Sequence, residues 1–425
     1  MKVLMFGWEF PPHITGGLGT ACFGMTKGLA KNNVDVIFVV PKAFGDEDQS
    51  NVRIVNASDI TINLDHEKDR MYWNRVQYME IGSNIIPYVG VEEFTQMVET
   101  GSNVYENFRG NVFAPSYEFS GRYGANLMEE VARYALIGSA IATQNDFDVI
   151  HAHDWLTYSA GVAAKETTGK PLIVHMHATE FDRSGENINT DVFAIEKNGM
   201  EKADVVITVS NLTRQIAIER YGIDPQKVVT VHNAVEPSEK TVLKHDGSKG
   251  KLVTFLGRVT YQKGPEYFVE AAYKVLQRDP NIRFVMAGTG DLIQKMILRA
   301  AQLRIGNRFH FTGFLQGNDI DQLFSMTDVF VMPSISEPFG IVPLEAMRSN
   351  VPVVISKQSG VSEVLKHALK VDFWDINALS DAIYGLCHYK ALSDFFIKYG
   401  KEEVENIKWE HASYKIKKVY ESLLS

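Results

Sequence analysis

Short apolar runs recur along this chain, and most are continuously apolar rather than alternating. Val3-Leu4-Met5-Phe6, residues 34–40, 148–152, 172–176, 205–209 and 228–231 form one series. Strands buried on both faces read this way, and helical patterns such as residues 20–31 and 127–143 lie between them. This is the βα alternation of a mostly parallel sheet. The pattern lapses into polar, turn-forming residues over 236–250, which reads as a linker. It then restarts at residues 252–256, 282–287, 309–311, Val329-Phe330-Val331-Met332 and 351–355. The expectation is an α/β protein of two doubly wound halves, joined by a hinge with a cleft between. Ligands in such sheets bind beyond the carboxyl ends of the strands. A length of 425 residues fits two domains.

The net charge of −9 argues against nucleic acid as the main partner and gives no strong signal for an anionic membrane. Cys22 and Cys387, far apart in a Cys-poor chain, read as reduced thiols. The opening residues lack a signal-peptide apolar region, and no apolar run is long enough to span a bilayer. The expected location is therefore the cytoplasm. Near the other end, Trp409, Ala412, Ile416, Val419, Tyr420 and Leu423 form a helical apolar stripe. Residues 44–125 follow no clear pattern.

The segment after Val329-Phe330-Val331-Met332 carries two carboxylates, Glu337 and Glu345, with seven residues between them. Glu337 belongs in a strand-to-helix loop, and Glu345 on the helix that follows. Phe339, Gly340 and Ile341 offer backbone N–H groups near that helix start, where an anion is favoured. Carboxylates that can accept hydroxyls around a phosphate-sized site imply a ligand that is part sugar and part phosphate.

Four other loops carry candidate chemistry. Gly16-Gly17 lets the backbone approach a phosphate just before the first helix, though alone it reads equally as a flexible turn. Arg258 and Lys263, in Gly257-Arg258-Val259-Thr260-Tyr261-Gln262-Lys263-Gly264, follow a buried strand and could neutralise a leaving diphosphate. Each such contact near 4 Å is worth about 4 kcal/mol at an effective dielectric of 20, before desolvation; solvated surface cations are the plainer reading. His151-Ala152-His153-Asp154-Trp155 and His175-Met176-His177 end two strands. They read as hydrogen-bonded histidines, as metal ligands of a hydrolase, or as a neutral contact to a sugar. Gly288-Thr289-Gly290 begins like a dinucleotide fingerprint, but Ile293 replaces the third glycine, so it reads better as a tight turn beside a nucleotide.

With these pieces in order, the chain resembles the GT-B glycosyltransferases (families 4 and 5), in particular the retaining nucleotide-sugar transferases that include glycogen and starch synthases and sucrose-phosphate synthases. The Gly-Gly loop, His-Ala-His-Asp-Trp, Gly-Arg…Gln-Lys-Gly and Glu-Pro-Phe-Gly…Glu stand in the family's order across nearly the whole chain. The resemblance implies two Rossmann-like domains facing across a cleft, residues 1–240 on the acceptor side and 241–405 binding the donor. It also implies a C-terminal helix, 406–425, crossing back to the N-terminal domain. Arg258 and Lys263 would hold the donor diphosphate, with Gly16 and Gly17 closing over it. Glu345 would bind the ribose, and Glu337 the donor sugar, with the amides of Phe339, Gly340 and Ile341 nearby. His153 would contact the sugar near its anomeric carbon. Gly288 would lie beside the nucleotide, and the Gly313-Phe314-Leu315 turn against its base.

The resemblance further implies a metal-independent transfer with no cofactor beyond the nucleotide-sugar substrate. The acceptor hydroxyl attacks from the leaving-group face, and the phosphate takes its proton. UDP-glucose or ADP-glucose is the expected donor and an α-glucan the expected acceptor, as in glycogen synthases. Thr15 stands where bacterial ADP-glucose enzymes carry Lys, which counts against ADP-glucose but not against the class. The other readings are a transferase with another glycan, small-molecule or lipid-linked acceptor, a metal-dependent hydrolase using the His-x-His pairs, and a nucleotide-sugar-binding regulator without transfer activity.

Overall fold

The computed structural model describes residues 1–14, 16–60, 117–121, 123–124, 126–236 and 250–425. Thr15, most of the irregular stretch 44–125 and most of the expected linker lie outside the described residues. The chain divides into two compact units. The first comprises Met1–Phe181, Glu186–Asn233 and Trp409–Ser425; the second comprises Asp182–Gly185 and Ala234–Lys408. The boundary expected at 240 and 241 is outside the described residues; the described chain passes between units at Asn233 and Ala234.

The first unit holds a seven-stranded sheet: β1 (Lys2–Phe6), β2 (Asp35–Val40), β3 (Arg53–Asn56), β4 (Val149–His153), β5 (Leu172–Met176), β6 (Val205–Thr208) and β7 (Val228–Thr230). Its order is β3-β2-β1-β4-β5-β6-β7, with every neighbour parallel. Leu4, Phe6, Ile150, Val174 and Val206 point into one core cluster, as continuously apolar strands require. The order reverses at β1, which has β2 on one side and β4 on the other. That is a topological switch point, where the loops after β1 and β4 emerge side by side.

The second unit repeats the design with β8 (Leu252–Leu256), β9 (Arg283–Ala287), β10 (Phe309–Gly313), β11 (Val329–Met332), β12 (Val353–Ser356) and β13 (Leu369–Val371). Its order is β10-β9-β8-β11-β12-β13, again parallel throughout. Val253, Phe255, Phe284, Val329 and Val331 share its core. Here the switch point lies between β8 and β11. The expected strand over 351–355 starts at Val353, since Pro352 has no N–H to give the ladder.

The terminal helix Trp409–Leu424 packs on the helix Gly17–Lys31 within the first unit. Gly24 and Gly28, four residues apart on one face, leave no room for a Cβ against Trp409 and Ser413. Ser413 Oγ donates to the carbonyl of Met25 at 2.9 Å, and Lys417 Nζ to that of Asn32 at 2.9 Å. Residues 406–408, expected in that helix, belong to the second unit. Among the described residues no helix is long and apolar enough to cross a membrane.

Candidate active site

The loops after β8 and β11 start side by side because Val253 and Thr254 pair with Val329 and Phe330. The first loop runs through Gly257 and Arg258 into a tight turn, Tyr261–Lys263, before the helix Pro265–Arg278. The second runs from Pro333 to the short helix Val342–Arg348. The buried Gln262 ties them: its carbonyl accepts from Ile335 N at 2.9 Å. The consequence is an ion pair between Lys263 Nζ and Glu337 Oε2 at 2.5 Å. Ser334 Oγ donates to the same oxygen at 3.3 Å. The sequence reading gave Lys263 to a diphosphate and Glu337 to a sugar without pairing them; the structure joins the two.

Glu337 is only 5% exposed, and its main chain is pinned to the loop after β12. Its N–H donates to the carbonyl of Gln358 at 3.1 Å, and its own carbonyl accepts from Gly360 N at 2.8 Å. Phe339 is buried, and its carbonyl accepts from Val361 N at 2.7 Å. Gly340 sits at φ 98°, a conformation L side chains rarely adopt, with Met332 and Glu337 where a Cβ would go. Among the described residues no main-chain carbonyl accepts from Gly340, Ile341 or Val342 N–H, as expected at a helix start.

Arg258 reaches Gln262 Oε1 at 3.4 Å, a marginal hydrogen bond. Its charge is felt at Asp291, whose pKa burial raises and Arg258 opposes. Gly288 follows β9 and donates to the carbonyl of Gly313 at 2.8 Å, while Gly257 N donates to that of Ala287 at 3.0 Å. Gly288 lies so close to the Gly257 carbonyl that no side chain fits. Leu315, just past β10, packs against Leu252, Val285, Ala287 and Leu323. Leu315, Gly288, Arg258 with Lys263, and Glu337 therefore follow one another along the carboxyl edge, in the strand order β10-β9-β8-β11. Glu345 lies in the first turn of its helix. Burial raises its pKa most, Arg348 opposes this and Asp321 adds to it.

Gly16, Gly17 and His153 belong to the first unit. Gly16 is the N-cap of the helix Gly17–Lys31, extended, with no side-chain cap. Among the described residues, chain neighbours apart, nothing lies within 4 Å of where a Cβ would stand on Gly16 or Gly17. Glu9 Oε1 accepts from Gly19 N at 3.1 Å. His153 ends β4, and Asp154 follows in the left-handed region at φ 62°, a strained conformation of the kind found at functional sites.

The four histidines come together because β4 and β5 pair with His153 opposite His175. His153 Nδ1 lies 3.0 Å from His177 Nε2, and His175 Nδ1 lies 3.3 Å from His151 Nε2. His151 Nδ1 lies 2.6 Å from Tyr420 Oη on the terminal helix. Burial pushes the pKa of His151 and of His177 down to about 3, with repulsion from His177 adding to the effect at His151. Burial first, and then repulsion from the neighbouring rings, holds His153 and His175 well below the usual range. All four rings are thus neutral at ordinary pH. Two partners of this cluster escape sequence reasoning: Tyr420, which is 269 positions from His151, and Cys22 on the first helix. Neither carries a local motif.

Comparisons with known proteins give the family. The model for glycosyl transferases group 1 matches residues 239–403, and that for glycosyltransferase family 4 matches residues 112–239. An uncharacterized glycosyltransferase of Methanocaldococcus jannaschii is 28% identical, covering 99% of this chain and 98% of its own. A glycogen synthase of Mycobacterium tuberculosis is 24% identical over 86% of this chain and 80% of its own. The sucrose-phosphate synthase of Thermosynechococcus elongatus superposes with a TM-score of 0.71 at 16% identity, covering 99% of this chain and 98% of its own, a likeness of fold. A glycosyltransferase takes the place of the hydrolase reading. With both family models and both Rossmann-like sheets in place, this chain belongs to the GT-B glycosyltransferases of the group 1 and family 4 type.

Proposed function

We propose that this protein is a retaining hexosyltransferase that moves a hexose, in the first instance glucose, from a nucleoside-diphosphate sugar to an α-glucan. The observation that carries this reading is the Lys263–Glu337 pair at the β8–β11 switch point, with Arg258 on the same loop as Lys263. A buried carboxylate holds the ammonium in place, so its charge needs little reorganisation when a diphosphate arrives. Strand order supports one direction for the donor. The base goes to Leu315 and Gly288, the diphosphate to Arg258 and Lys263, and the sugar hydroxyls to Glu337 and the amides of Gly340 and Ile341. Glu345 takes the ribose. In the same proposal His153 gives the sugar a neutral imidazole contact, and Gly16-Gly17 gives backbone N–H groups to phosphate.

The reaction breaks the bond from the anomeric carbon to the phosphate oxygen and forms one to the acceptor oxygen. The acceptor's proton passes to the departing phosphate, so neither glutamate need act as an acid or base and no metal need take part. Cations fixed beside the leaving oxygens stabilise the charge that develops there. The α-glucan acceptor is supported by the likeness to the mycobacterial glycogen synthase across most of both chains.

The test is nucleotide release from UDP-glucose, ADP-glucose and GDP-mannose, with and without glycogen, and NMR of the product anomer. The expected result is glycogen-dependent release, retained configuration and full activity in EDTA. Inverted product or loss of activity in EDTA overturns the mechanism. Release that ignores glycogen but responds to another acceptor overturns the α-glucan assignment.

A further inference from the structure

The histidine cluster has a feature that sugar transfer does not use. Cys22, His153 and His177 present one ligand atom each, all within 4.8 Å of one another. They come from three separate elements: the helix Gly17–Lys31, the end of β4 and the loop after β5. We propose that these three residues bind a single zinc-type divalent cation, and that the bound ion takes His153 out of sugar transfer.

The ligand set selects the ion. One thiolate and two neutral imidazoles suit zinc, and three protein ligands leave a fourth tetrahedral position open. His153 Nδ1 and His177 Nε2, 3.0 Å apart, need to separate only a few tenths of an ångström to span a tetrahedral edge of ~3.3 Å. His153 is wholly buried, so an ion held at its Nδ1 is shielded from bulk water.

The surroundings favour a cation. Burial first, and then the negative charges of the buried Glu9 and Asp154, oppose a bare thiolate at Cys22, but those two charges attract a dication that brings the thiolate with it. His177 is only partly buried, which gives an ion a way in. The alternative triad His151, His153 and His175 shares His153 but is fully buried and lacks a thiolate. The group His13, Asp46 and Glu47 is already engaged: Asp46 bonds His13, and Glu47 accepts from the N–H groups of Phe44 and Gly45. Binding is a simple exchange in which the ion replaces the Cys22 thiol proton and releases it to solvent, with no change of oxidation state.

The inhibition half of this proposal rests on the transferase reading; the binding half does not. The experiment titrates the reduced full-length protein with Co2+ and then Zn2+. The expected result is one equivalent of Co2+, with tetrahedral visible bands and a near-ultraviolet thiolate-to-cobalt band, displaced by Zn2+. One proton should be released per ion. Cys22→Ser should lose the thiolate band and bind at least tenfold more weakly. His177→Gln, at the half-buried edge, should weaken binding similarly and guards against a folding defect in the first variant. In the nucleotide-release assay, Zn2+ should inhibit the wild type stoichiometrically and reversibly with EDTA, while Cys22→Ser keeps its activity and resists. No saturable binding, or an unchanged spectrum in Cys22→Ser, overturns the site. Binding without inhibition overturns the link to His153. A failed transferase reading shows itself separately, as no nucleotide release from metal-free protein.

Discussion

Lys263 Nζ lies 2.5 Å from Glu337 Oε2, joining two loops whose residues are 74 positions apart. Both groups are largely withdrawn from water, with side-chain exposures of 19% and 7%. A pair of this kind roughly breaks even for stability, but losing one partner is costly because the other charge stays buried. The two residues therefore act as one unit.

Lys263→Ala should lower turnover by about 100-fold or more, as removal of an oxyanion donor does. It should also lower stability by roughly 2–4 kcal/mol, because Glu337 loses its counter-charge. Adding Glu337→Gln to Lys263→Ala should recover most of the stability and none of the turnover. Urea midpoints and kcat on the wild type, the two single variants and the double variant check this. A single variant with wild-type kcat would falsify the donor role of the pair.

Arg258 stands on the same loop as Lys263, with Gln262 Oε1 3.4 Å away. Arg258→Ala should lose about 100-fold in kcat, the cost of removing a donor to the leaving group, while keeping most of its stability. A large fall in melting temperature alongside the activity loss would mean that Arg258 is structural.

Glu345 carries a cost that Gln would relieve. Its raised carboxyl pKa means the fold prefers the neutral form, so this group's contribution falls as pH rises through its unfolded value. Glu345→Gln should raise the melting temperature at pH 7. It should also raise the donor KM about tenfold, by weakening a charged hydrogen bond. An unchanged KM contradicts the ribose role.

The histidine cluster predicts acid sensitivity. His151 is held down to about 3 in the fold, whereas the unfolded ring titrates near the ordinary value of 6.5. The unfolded state thus binds more protons between these values. Stability is complete above about pH 6.5 and falls as the pH drops below it. At pH 4.5, His151 alone costs about 2–3 kcal/mol, and the other three rings act in the same direction. Thermal melts from pH 7.5 to 4.5 test this; a flat profile contradicts the neutral, buried cluster.

The terminal helix rests on Gly24 and Gly28. Gly24→Ala should cost about 1–3 kcal/mol by overpacking against Trp409. Trp409→Ala is destabilising alone, through its lost buried ring, but should relieve part of the Gly24→Ala penalty. A double-mutant cycle reads this coupling; strictly additive losses would place the Gly24 methyl elsewhere.

The fold was legible where the signal is local. Each apolar run read as a strand falls on one, because most are buried on both faces and leave no polar position to break them. Strands β3 and β13 were missed: each lies at a sheet edge and carries charged or exposed residues, such as Arg53 and Lys370. The candidate residues Arg258, Lys263, Glu337 and Glu345 were legible as motifs of type and spacing.

What the chain alone determined is which residue types follow which strand, and so the class of chemistry the loops can offer. Only the tertiary structure decided which of them meet. That Lys263 pairs with Glu337, that Tyr420 bonds His151, and that Cys22 stands beside His153 and His177 follow from sheet order, parallel register and helix docking. Those are set by crossovers and packing between distant segments, and residue periodicity reports only on the few neighbours within a turn or a pleat.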